Sequence, residues 1–76
     1  MFDRITSDPT ILGGKPCVRG TRISVEFILE LIASRGTDEQ IIKKYPQLKA
    51  EDIEQAIRFA AQTLKNDVVI TARLAG

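Results

Sequence analysis

The chain has no histidine and no tryptophan, and one each of cysteine, methionine and tyrosine. Without histidine there is no imidazole to serve as a general base or to complete an ordinary zinc site. One cysteine cannot close a disulfide within the chain, and a lone thiol suits a reducing compartment. Cys17 has no second thiol and no imidazole beside it, so it reads as a small apolar residue, not a nucleophile. No run approaches the roughly 18 apolar residues of a membrane span. The opening MFDRITSDP carries acids and no apolar stretch, so it does not read as a signal peptide. A cytoplasmic protein is expected, with no cofactor and no membrane contact. A strong charge of one sign is also missing. Lys and Arg number 11 against 10 Asp and Glu, a net +1, so there is no global electrostatic footprint for nucleic acid.

What is present fits one small domain. The 76 residues allow no more. A chain this short buries only about 60% of its unfolded surface, which leaves a marginal core. Small scaffolds without staples often gain stability by association. Residues 4–23 read as short extended pieces around turns, punctuated by Asp8-Pro9 and Gly13-Gly14. Arg4–Thr6 and Thr21–Ile23 are expected to pair as a two-stranded ribbon.

Residues 24–65 read as three helices. Ser24 is a good N-cap for a first helix over Val25–Arg35, with Gly36 as its C′ residue. Phe27, Leu31, Ile28, Ile32, Val25 and Leu29 cover more than half its circumference. So wide an apolar arc puts this helix at the centre of the domain or against a partner. Thr37 and Gln40 form a capping box, which predicts a second helix over Asp38–Lys44, stopped by Pro46. A third helix runs from about Ala50 to Lys65. Its apolar set is Ile53, Ala56, Ile57, Ala60, Ala61 and Leu64, with Phe59 off the stripe beside Asp52 and Thr63. Residues 66–76 are rich in β-branched side chains and read as an extended arm. The outline is mainly α, a tri-helical helix-turn-helix domain with a short N-terminal β ribbon.

Four features suggest interactions. The stretch Ile11–Val25, ILGGKPCVRGTRISV, sets Lys15, Arg19 and Arg22 among three glycines, where phosphate could be held. The plainer reading is a glycine-rich turn with solvated cations. Lys43 and Lys44 flank the helix-turn-helix corner, and these five cations are the candidate DNA contacts. Glu51, Asp52 and Glu54 at the start of the third helix oppose DNA entry, and they also suit the helix macrodipole. Phe27, Leu31 and Phe59 are candidates for a homodimer interface, unless they complete the monomer's own core. Val68, Val69, Ile70, Arg73 and Leu74 make an apolar tail with a single cation, either docked on its own dimer or reserved for a partner. No constellation of a base, nucleophile or metal cluster is visible, so no enzyme is expected.

These pieces together resemble a small prokaryotic family long labelled domain of unknown function 433. The resemblance rests on Ile5-Thr6, GKP at 14–16, GTRI at 20–23 and the helix after it. It continues through Gly36-Thr37, Tyr45-Pro46, Glu51-Asp52-Ile53 and Phe59-Ala60-Ala61, about residues 4–64. Lys49 departs from the Thr or Ser that the family tends to place before the third helix. The resemblance implies a homeodomain-like fold and a role like that of VapB-type antitoxins. The partner it implies is a PIN-like ribonuclease toxin encoded alongside, neutralised by a segment beyond the helical core, with possible operator binding for autoregulation. Arg73 is then the candidate to meet the nuclease's carboxylates, because a guanidinium bonds a carboxylate bidentately. A stand-alone DNA-binding regulator and a protein-only adaptor remain the alternatives.

Overall fold

The computed structural model describes residues 2–67. It is mainly helical, with three helices behind a small N-terminal ribbon: β1 (Ile5–Thr6), β2 (Cys17–Val18), α1 (Val25–Ala33), α2 (Asp38–Lys44) and α3 (Ala50–Asp67). Ile5, Val18, Ile23, Val25, Ile28, Ile41, Leu48, Ile53 and Ala56 form one core drawn from every element. No described helix is long and apolar enough to cross a membrane.

The ribbon differs from expectation. β1 pairs antiparallel with Cys17–Val18, Ile5 opposite Val18 and Thr6 opposite Cys17, and not with Thr21–Ile23. Thr21–Ile23 instead folds back onto the other edge of β2. The Val18 N–H donates to the Ile23 carbonyl at 2.9 Å, and Cys17 bridges to Ser24. The cause is a tight turn after Val18. Gly20 sits at φ +81°, which the third position of such a turn favours in glycine. The Thr21 hydroxyl donates to the Val18 carbonyl and accepts from the Ile23 N–H. β2 thus lies between both segments, and Cys17 and Val18 are wholly buried.

The Ser24 hydroxyl caps α1 by accepting from the Phe27 N–H. At the other end Arg35, not Gly36, takes the left-handed conformation, with φ +70°. The Arg35 N–H reaches the Ile32 carbonyl and the Gly36 N–H reaches Leu31, a Schellman closure. Gly36 is needed for another reason. A Cβ there would stand 2.9 Å from the Leu31 carbonyl oxygen. Of its wide apolar arc, α1 buries Val25 and Ile28, half-buries Leu29, Leu31 and Ile32, and leaves Phe27 exposed. Val25, Leu29 and Ala33 face α3, while Phe27 and Leu31 face the end of α2.

The Thr37–Gln40 capping box is closed in both directions. Leu48, in the turn after Pro46, is buried and anchors the corner between α2 and α3. Lys49 has no cap side chain to offer. The cap comes instead from Asp52, three residues in, whose Oδ2 accepts the Lys49 N–H at 2.9 Å.

Candidate interaction surface

α3 works on three sides. Its core side carries Ile53 and Ala56. A second side carries Asp52, Gln55 and Phe59, spaced i, i+3 and i+7, and the N-terminal segment lies along it. Phe2 meets Phe59 edge to face, with ring centroids 5.6 Å apart. The Gln55 amide donates to Asp3 Oδ1 and accepts the Arg4 N–H. Arg4 Nε donates to Asp52 Oδ1 at 2.6 Å. Asp52 is fully buried, while the Arg4 side chain stays 29% exposed. Burial alone would raise the Asp52 carboxyl. The Arg4 guanidinium and the Lys49 N–H outweigh it, and the group lies below its ordinary range. Asp3 is held low as well, first by the Gln55 hydrogen bond.

The sequence reading grouped Asp52 with Glu51 and Glu54 as carboxylates facing DNA. That grouping is corrected: Asp52 is spent on Arg4 and the cap, and only Glu51 and Glu54 are exposed. Arg4 and Gln55 escaped notice. The signal available was the second i, i+3, i+7 row on α3, polar where the core row is apolar.

The five candidate DNA contacts are all exposed. Lys15 approaches Glu26 at 3.4 Å. Arg19 Nε donates to the Asp3 carbonyl at 2.9 Å, beside β1. Arg22 projects from the turn after β2. Lys43 and Lys44 occupy the last turn of α2, where they also suit the helix macrodipole. The fold thus separates these cations among a loop, a turn and a helix end.

The three candidate dimer residues are divided too. Phe27, 39% exposed, packs edge to face on Tyr45, and Leu31 borders a small hollow with Ile41 and Tyr45. Phe59 is half-buried under Phe2, on the far side of α1. Val68, Val69, Ile70, Arg73 and Leu74 lie outside the described residues.

An open groove of about 560 Å³ lies between α1 and the C-terminal half of α3. Val25, Leu29, Ala33, Phe59, Ala60 and Leu64 form its apolar walls, and Lys15, Glu26 and Glu30 stand around it. No group of three or more metal-ligating side chains occurs among the described residues.

Residues 5–60 match the family described as protein of unknown function (DUF433). The chain belongs to this family. An uncharacterized protein of Sinorhizobium fredii, y4eO, is 41% identical to this DUF433 chain over 56 residues. That match takes in 74% of the chain and 25% of the other protein, so the chain spans about a quarter of its relative's length. A crystal structure of a DUF433 member from Anabaena variabilis superposes with a TM-score of 0.78 at 27% identity. The match covers 97% of this chain and 70% of that one.

Proposed function

We propose that this DUF433 protein is the antitoxin of a toxin–antitoxin pair, a binding protein without chemistry of its own. The groove between α1 and α3 carries the reading. Its walls are aliphatic and aromatic, and it opens beside Leu64, near the end of α3. Such a surface suits a protein segment better than a small polar substrate. The partner is a PIN-like nuclease, whose metal-binding carboxylates would accept a cation from residues 66–76, with Arg73 as the candidate. Operator binding through Lys15, Arg19, Arg22, Lys43 and Lys44 is the second activity. The withdrawal of Asp52 from the surface favours it, because one fewer carboxylate repels phosphate at the start of α3.

Coexpression with a nuclease encoded beside this chain's gene tests the reading, and the lack of such a gene would overturn it. The full chain should protect cells and copurify with the nuclease. Deleting residues 66–76 should abolish protection while leaving the helical circular dichroism largely intact. Arg73→Glu should weaken protection. Undiminished protection by the truncated chain would remove the tail from the mechanism.

A further inference from the structure

The third side of α3 has no partner among the described residues. Ile57 is 44% exposed, Leu64 is 59% exposed, and Ala61 lies open between them. At helical spacing the three fall within about 60° of one another around the axis, forming one seam. Glu54, Arg58 and Lys65 follow on a single flank of that seam, all exposed. The sequence pattern assigns this seam to the core, yet the core takes only Ile53 and Ala56, with Ala60 at its edge.

We propose that this seam pairs with the same seam of a second copy, two α3 helices antiparallel about a two-fold axis near Ala60 and Ala61. Self-complementarity points to this occupant. In that register Ile57 faces the partner's Leu64, twice over. The alanines lie at the crossing and let the backbones approach closely. Glu54 falls within about 3 Å, measured along the axis, of the partner's Lys65. A two-fold places like flanks together, so one flank carrying both signs satisfies itself. A seam of one sign would not. The interface is small, so association in the micromolar range is expected. Phe27, Leu31 and Phe59 take no part in this pairing.

Sedimentation of the full chain alone tests the pairing independently of any toxin or DNA. The chain should shift from monomer to dimer across the micromolar range. Ala61→Glu should hold it monomeric with unchanged helical circular dichroism. Glu54→Lys should weaken the dimer, and adding Lys65→Glu should restore it. Near the axis residue 61 meets itself, so Ala61→Cys should form a disulfide-linked dimer under mild oxidation. Gln47→Cys, exposed at the α2–α3 turn, should not, and native Cys17 is buried away from reaction. A monomer at every concentration would overturn the proposal. So would a dimer that survives Ala61→Glu, or cross-linking no faster at 61 than at 47. The last two outcomes would place association, or another protein's binding site, elsewhere on the molecule.

Discussion

Asp52 shows how one carboxylate can hold three segments. It caps α3, ties Arg4 to the helix and so fixes the strand that follows Arg4. A buried pair is not stabilising in itself, because both charges lose water. Here the Arg4 side chain stays partly exposed and the carboxylate gains a backbone donor, which tips the balance. Asp52→Ala should cost about 2 kcal/mol, read from urea midpoints, as a lost cap plus a lost charged hydrogen bond. Because the folded Asp52 carboxyl is lowered, its contribution is complete above the unfolded aspartate value. It is lost as pH falls through the lowered folded value. Melting temperatures of the native chain and Asp52→Asn should therefore converge as pH falls below 4, and a constant gap would contradict the pairing. Arg35 and Gly36 give a paired test of backbone geometry. Arg35→Gly should stabilise by about 0.5 kcal/mol by relieving a left-handed φ. Gly36→Ala should destabilise by about 1–2 kcal/mol, because the colliding atom is backbone. Swapped signs in thermal melts would mean that the end of α1 closes differently.

Among the elements, what was legible in the sequence was local. Ser24, Thr37, Gln40 and Pro46 act within four residues of themselves, and the helix limits they imply match α1 to within two residues and α2 fully. The ribbon was not legible in the same way. Two-residue strands carry too little alternation to choose between Cys17–Val18 and Thr21–Ile23 as partner. The choice is made by the Gly20 turn, which folds the second segment back onto β2. α3 misled for a different reason. Its apolar row is wider than the core can use, so period alone could not say that Ile57 and Leu64 face outward. Its polar row becomes meaningful only with Arg4 present, 48 residues away. The placement of Phe59 follows the same logic: the N-terminal segment covers it. Phe2→Ala should therefore act through α3, costing about 1 kcal/mol. It should also raise amide exchange at Ile5 and Thr6. If only residues before Arg4 exchange faster, the aromatic contact does not hold β1.

The molecule as a whole separates its surfaces. The N-terminal segment closes one side of α3, the groove with α1 opens another, and the Ile57–Leu64 seam forms a third that shares Leu64 with the groove. Arg19, Arg22, Lys43 and Lys44 lie elsewhere, on the turn after β2 and the end of α2, while Lys15 stands at the rim of the groove. The proposed operator binding would, through those four cations, use surfaces that docking in the groove leaves free. The five cations are not equivalent in this arrangement. Arg19 is held by the Asp3 carbonyl and Lys15 faces Glu26, whereas Arg22, Lys43 and Lys44 have no acceptor among the described residues. Those three can turn fully toward phosphate, and each contact made should release counterions. Binding of the full chain to its upstream DNA should weaken steeply with salt. Arg22→Ala and Lys43→Ala should each flatten the log–log slope by about one unit, across operator and unrelated duplexes alike. Lys15→Ala should change it less, because Glu26 already offsets that charge. A slope untouched by Arg22→Ala and Lys43→Ala together would take DNA away from these cations and remove operator binding from the proposed function.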